Sequence, residues 1–347
     1  MVILTFWFLE IICLKMSKKI FFKFSLSNKI GTGHFFRTMN LAKKFLSKNA
    51  KIFFIIRDIK LQTDLVKKNF NSRLLKKTIF VKDEKAEIRL LQKNKATNLF
   101  IDDPNFNIQL QKKYKKIIKG KLILYQDIPK KNFADIILNH NYIKNPKKIY
   151  KNLSKEKVQL FTNIKFFPKE IYKKINKKSK KIRILVFFGG LANKKLLNFV
   201  LSFLNKNVDG NLRVNCFTGH FSKDLNIFKK KFKNIEFQKS QKQSFYHYQL
   251  RKSDLFIGAG GTSLIESLIN GIPSIVFCTA KNQIYNCKNL SKDKYIIFIK
   301  DKKSFPSRFN DLFQDIAKFK YLKKRANKIS KIIGSRNIIS DVLPLLK

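Results

Sequence analysis

Two rounds of one local grammar run along this chain: an apolar run of strand length, a glycine-rich turn, then a stretch with helical periodicity. In the first round Ile20–Leu26 reads as a strand and His34–Leu46 as a helix, with Phe36, Leu41, Phe45 and Leu46 as candidates for its buried side. Ile52–Ile56 is the next strand. Leu99–Ile101, Leu122–Tyr125 and Ile136–Leu138 are short and apolar without alternation, the pattern of strands buried on both faces of a parallel sheet. A Lys-rich stretch, Lys169–Lys181, follows Pro168 and reads as a connection. The grammar then restarts. Ile182–Phe188 ends in Gly189-Gly190, Leu196–Leu204 is helical, and Leu212–Phe217 is closed by Gly219. Leu255–Ile257 leads into Gly258-Ala259-Gly260-Gly261, Ser263–Ile269 is helical, Ser274–Phe277 follows Pro273, and Leu312–Leu346 is mostly helical. Parallel strands need crossover helices, so the pattern calls for an α/β chain. The expected architecture is two Rossmann-like domains, 16–168 and 169–347, facing each other across a cleft. Ligand then sits at the carboxyl ends of the strands.

The charge is the main compositional anomaly. Lys+Arg number 75 against 22 Asp+Glu, a formal net charge of +53. Only ten of the 75 are Arg, whereas planar recognition of bases and phosphates favours Arg. Lys, Ile, Asn and Phe are all abundant, all have A/T-rich codons, and Lys is spread over the whole chain. The charge therefore reads as compositional drift, with weak adhesion to polyanions and no specific nucleic-acid partner. A non-catalytic polyanion-binding protein is the reading from a different class. The four cysteines, Cys13, Cys216, Cys278 and Cys287, form no CxxC pair and no zinc spacing with His. They fit a reducing compartment, so a cytoplasmic location with no metal is expected. Residues 1–15 are apolar but interrupted by Glu10, too short to span a bilayer, and lack a basic flank and a cleavage site. The expectation is a start codon placed too early, with Met16 as the true start. A peripheral membrane anchor is the alternative, and stable membrane insertion is not expected.

Three stretches carry chemistry. In Lys29-Ile30-Gly31-Thr32-Gly33-His34-Phe35-Phe36-Arg37 two glycines permit a tight turn, and the helix that follows offers amides to an anion. His34 falls near the helix start, where the dipole disfavours imidazolium and leaves a ring able to take a proton. A turn with an incidental His explains the same residues. In the second stretch Gly260, Gly261, Thr262 and Ser263 can cradle a diphosphate, with Glu266 one turn on and placed for a ribose diol. Ser263-x-x-Glu266 is equally a capping box that needs no ligand. In the third, Asn282 and Gln283 after a strand end can reach sugar hydroxyls or acetamido groups, or simply form a solvated helix cap. Asp102-Asp103-Pro104 puts two carboxylates at another strand end, as metal ligands, acid/base groups or a turn. Gly189 and Gly190 leave room for a ligand or the other domain.

Taken together and in this order, the motifs resemble the nucleotide-sugar hydrolases that act on UDP-2,4-diacetamido-2,4,6-trideoxy-β-L-altropyranose in pseudaminic acid synthesis. Gly31-Thr32-Gly33-His34-Phe35-Phe36-Arg37 is similar to that family's opening GxGHxxR loop, and Arg183 to Gly190 to its second opening strand. Asp254 to Pro273, then Asn282-Gln283, is similar to its nucleotide loop and NQ motif. The nucleotide loop is shared with the wider GT-B superfamily, including the peptidoglycan N-acetylglucosaminyltransferase. The resemblance covers about Met16 to Leu290. It implies a GT-B fold, an N-terminal domain carrying the catalytic loop, and UDP held mainly by the C-terminal domain. It also implies His34 as general base toward water, no metal or cofactor, and a monomer binding a UDP-sugar for surface-glycan or flagellin modification. A GT-B glycosyltransferase is the implied alternative. The chain departs from the family pattern at Asp102-Asp103-Pro104, where the family often has Asp-His-Tyr, and at Lys23 and Ser25, where it tends to have Arg and Asp.

Overall fold

The computed structural model describes residues 18–25, 33–48, 50–57, 59–94, 98–154, 157–169, 175, 181–189, 194–207, 211–218, 225–238 and 243–346. The leader 1–15, Gly31, Gly190 and most of Lys169–Lys181 lie outside them.

Among the described residues thirteen strands form two sheets, with every pairing parallel. The first sheet holds β1 (Lys19–Phe24), β2 (Lys51–Arg57), β3 (Thr78–Val81), β4 (Asn98–Asp102), β5 (Leu122–Tyr125), β6 (Ile136–Asn139) and β7 (Gln159–Thr162), in the order β3-β2-β1-β4-β5-β6-β7. The second holds β8 (Ile182–Phe187), β9 (Leu212–Phe217), β10 (Ile235–Gln238), β11 (Leu255–Ala259), β12 (Ser274–Phe277) and β13 (Ile297–Ile299), in the order β10-β9-β8-β11-β12-β13. Each sheet is buried on both faces by crossover helices, which is why the central strands are continuously apolar. On β1, Phe22 and Phe24 join one core of the first domain, while Phe21 joins the core on the opposite face with Ile55 and Leu99. Lys23 follows that alternation. It points away from Phe24 and forms a buried ion pair with Glu87 at 2.6 Å.

In both sheets the strand order reverses beside the first strand, opening a crevice at the carboxyl ends of the strands. In the first sheet the crevice lies between β1 and β4, where Phe24 is paired with Asp102. In the second it lies between β8 and β11, whose ends lead into Gly189 and Gly260. Gly189 has φ +92°, a backbone conformation that disfavours other residues. A Cβ on Gly260 would lie 2.2 Å from Cys287 Sγ, so glycine is required where the loop crosses the helix Lys281–Lys292.

The chain ends on its first domain. After the long helix Ile316–Ile332, residues Ile338, Ile339, Val342 and Leu346 pack into the same core as Ile20, Phe22 and Phe54. A single cut at 169 does not anticipate this return. No helix among the described residues is long and apolar enough to cross a membrane.

Candidate active site

The first domain builds its part of the site at the β1–β4 crevice. His34 is the second residue of the helix Gly33–Leu46 and is 7% exposed. Its Nδ1 lies 2.6 Å from Asp102 Oδ1 at the end of β4. Arg37, one turn on, donates from Nε to Asp102 Oδ2 at 2.5 Å and from Nη2 to Oδ1 at 2.6 Å. Thr38 Oγ1 donates to the same carboxylate at 3.2 Å. Burial pushes the Asp102 carboxyl up, but Arg37 and His34 outweigh it and hold the group well below the usual carboxylate range. An ionised Asp102 requires a proton on His34 Nδ1 for so short a contact. Arg37 Nη2, 2.8 Å from that nitrogen, then shares Asp102 Oδ1 with it as a second donor. With Nδ1 protonated, the lone pair of the ring is on Nε2, the tautomer a general base needs.

Asp127, two residues past β5, takes the other side of the guanidinium, accepting from Arg37 Nη1 at 2.5 Å. Burial again opposes ionisation, and Arg37 with His34 overcomes it, so this carboxyl is also held below its ordinary value. Tyr125 lies under the guanidinium, ring centroid 3.9 Å from Cζ, and its hydroxyl bonds His140 Nδ1 at 2.7 Å. His140 is 3% exposed, and burial followed by the Arg37 charge pushes its pKa down to about 3. The folded chain therefore holds it neutral, while the unfolded chain protonates it near pH 6.5. Between those values the unfolded state binds the extra proton, so stability rises with pH by up to about 1.4 kcal/mol per unit. His140→Gln should accordingly lose less stability than the wild type between pH 7 and about pH 4.5. Urea unfolding at the two pH values checks this; parallel losses would show an ordinary histidine.

The second domain meets this cluster directly. A Cβ on Gly33 would sit 3.7 Å from Thr262 Oγ1, so the starts of the helices Gly33–Leu46 and Thr262–Ile269 approach each other. The helix Thr262–Ile269 starts after Gly261, an N-cap with no side-chain acceptor; Leu264 N donates to Gly261 O at 3.1 Å, which leaves the amides of Thr262 and Ser263 for a ligand or water. Ser263 is inside the helix rather than at its cap, so the capping box is not formed. Glu266 Oε1 instead meets His247 Nε2 at 3.2 Å. Phe36, Arg37, Thr262, Glu266 and Asn270 line the cleft between the two helices. Asn282 crosses from the second domain and donates from Nδ2 to Asp127 Oδ2 at 3.0 Å. Gln283 turns back on its own loop, its Oε1 accepting from Thr279 N at 2.9 Å. Beside the cleft, Tyr142 N donates to Asn286 Oδ1 at 2.8 Å and Asn289 Nδ2 to Tyr142 O at 3.0 Å, fixing the domains together.

The structure thus brings Arg37, Thr262 and Glu266 to one cleft, with His34 and Asn282 joined to Arg37 through Asp102 and Asp127 and Gly33 next to Thr262. The pair Asp102-Asp103 is split: Asp102 is fully buried under Arg37, while Asp103 closes a turn by accepting from Asn105 N at 2.9 Å. Asp127, Tyr125 and His140 carry no sequence motif. The rule that singles out Asp102, a carboxylate just past an apolar strand, applies equally to Asp127.

Among solved structures, the chain is similar to MurG of Acinetobacter baumannii, with TM-score 0.65 and 15% identity over 95% of this chain and 99% of that one. It is also similar to Phytolacca americana UGT2 in complex with UDP-2-fluoro-glucose and pterostilbene, with TM-score 0.64 and 13% identity over 95% and 98%. The rhamnosyltransferase SpnG in complex with thymidine diphosphate matches with TM-score 0.60 and 10% identity over 94% and 99%. These likenesses, with the two parallel-sheet domains, give the chain a GT-B-like fold. No curated protein matches it in sequence. A family model described as Protein of unknown function (DUF354) matches residues 134–343, more than half of the chain, and the chain belongs to that family.

Proposed function

We propose that this chain is a cytoplasmic nucleotide-sugar hydrolase. It cleaves the glycosyl C–O bond of a UDP-linked diacetamido-trideoxy sugar with water, releasing UDP, in nonulosonic acid synthesis of the pseudaminic type. The observation that carries this reading is the His34–Asp102 pair at 2.6 Å, on a helix whose start approaches Thr262. Water attacks the anomeric carbon, His34 Nε2 takes its proton, and the C–O bond to the β-phosphate breaks with inversion. Asp102 steadies the imidazolium that forms. The amides at Thr262 and Ser263 face the charge that develops on the departing diphosphate. Glu266 exchanges His247 for the ribose diol. Asn282, Gln283, Gly189, Gly260 and Gly261 complete the sugar and diphosphate surfaces, and the sequence assigns Gly31 and Gly190, which lie outside the described residues, to the same role. No metal enters these steps.

Glu266→Ala should weaken UDP binding by about 1–3 kcal/mol in calorimetry, the loss of a charged hydrogen bond. Unchanged affinity with a lower melting temperature would make Glu266 a partner of His247 only. The solved neighbours favour a second reading, glycosyl transfer, since MurG-like and UGT-like chains share the fold. In that case His34 would deprotonate an acceptor hydroxyl. A panel of UDP-linked acetamido sugars incubated without acceptor separates the two: hydrolysis releases UDP and free sugar, whereas transfer needs the acceptor.

A further inference from the structure

A second cavity, of about 190 Å3, lies away from the cleft, between β8–β10 and the helix Gln243–Lys252. Arg183 and Arg213 are the second residues of β8 and β9 and are paired in register, so they reach it from the amino ends of the strands. The crevice of the proposed site is at the opposite ends. Arg183, Arg213 and Lys252 line the cavity against one lining carboxylate, Glu236, which Arg213 Nη2 already meets at 2.6 Å.

Two polar groups here are left incomplete. Arg183 Nε and Nη2 are buried without a hydrogen-bond partner. The carboxylate of Asp254 takes the Arg183 backbone N–H at 3.0 Å but stands 3.7 Å from Nε, beyond hydrogen-bond reach. Gln238 Oε1 is likewise buried and unpartnered, while its amide nitrogen donates to Asn215 Oδ1 at 3.3 Å. Asp254 thus balances the charge of Arg183 as an ion pair, but buried polar atoms are normally hydrogen-bonded, and Nε and Nη2 are not. The occupant must present acceptor oxygens to Arg183 and a hydroxyl to Gln238. A cavity of 150 Å3 holds benzene, so this one suits a ligand of about five to ten heavy atoms.

We propose that this cavity is a phosphate site for hydrogen phosphate or a small hydroxylated phosphomonoester. Arg183 holds the phosphate oxygens and Gln238 accepts from the ligand hydroxyl. The site is separate from the nucleotide cleft and does not depend on the reaction assigned to it.

Equilibrium dialysis of the full chain against labelled orthophosphate, in about 0.15 M salt so that diffuse attraction to the charged surface is screened, tests this. One site should persist when UDP saturates the cleft. Arg183→Gln should weaken it at least about tenfold, the scale of a lost charge-assisted bond, while the exposed Lys229→Gln does not. Sulfate, which has no hydroxyl at neutral pH, should bind less tightly than phosphate, and Gln238→Leu should bring the two anions level. That comparison decides the matter even if Arg183→Gln fails to fold. Glycerol 3-phosphate binding tighter than orthophosphate would identify a phosphomonoester as the ligand, and the reverse order free phosphate. Displacement by UDP, equal loss in both charge variants, equal binding of sulfate and phosphate by the wild type, or no binding at all would overturn the proposal.

Discussion

His34→Asn is expected to lower turnover of the correct UDP-sugar by about 10²–10⁴-fold, the usual contribution of a positioned base. Asparagine keeps a polar group of similar reach but has no basic nitrogen at the Nε2 position. The proposed function puts the nucleotide on the other domain, at the helix Thr262–Ile269, so UDP affinity should change by less than about twofold. That split between chemistry and binding is what separates a base from a structural residue. His34 sits 2.6 Å from a buried carboxylate, so a merely structural role would appear as lost stability with turnover nearly intact. Turnover within a few-fold of the wild type would remove His34 from the mechanism and leave Asp127 as the next candidate.

Asp102→Asn should have the largest effect on stability. The side chain is 1% exposed and takes donors from His34, Arg37 and Thr38. Neutralising it leaves the Arg37 guanidinium facing only Asp127 in a poorly solvated site. Breaking one side of such a buried pair costs about 3–5 kcal/mol. For a chain of this size that is a fall in melting temperature of roughly 4–7 °C. The asparagine amide also offers N–H to His34 Nδ1, which moves the ring proton to Nε2 and silences the base. The two substitutions therefore act on one unit. A His34→Asn/Asp102→Asn double variant should be no slower than the slower single variant, because effects within a unit are not additive. Losses that multiply would show that Asp102 and His34 act independently.

The centre of each sheet was legible because its strands are buried on both faces and must be apolar throughout. Leu122–Tyr125, Leu212–Phe217 and Ser274–Phe277 have the same bounds in the sequence reading and in the structure. The four strands without such a signal, β3, β7, β10 and β13, are the four sheet edges. An edge strand such as Ile235–Gln238 alternates buried and exposed residues over only four positions, too short for periodicity to separate it from loop. The return of Ile338–Leu346 to the first domain depends on a surface built from residues far away in the chain, and nothing local announces it. At the site, glycines and helix starts marked His34 and Thr262 because close backbone approach leaves a sequence trace. The contacts of Asp102 were not readable, because they depend on the β1–β4 register that sets Asp102 beside Phe24. Asn282 was readable as a polar residue at a strand end, but its bond to Asp127 depends on how the two domains face each other.

The central claim is that water, activated at His34, attacks the anomeric carbon. Turnover of the UDP-sugar in ¹⁸O-labelled water without any acceptor, followed by mass spectrometry of both products, tests it directly. The account predicts one ¹⁸O in the released sugar, none in UDP, and an initial product of inverted anomeric configuration. Label in the phosphate product would place the cleavage at a P–O bond, and release of UDP only when an acceptor sugar or lipid is supplied would make the chain a transferase; either result would contradict the account.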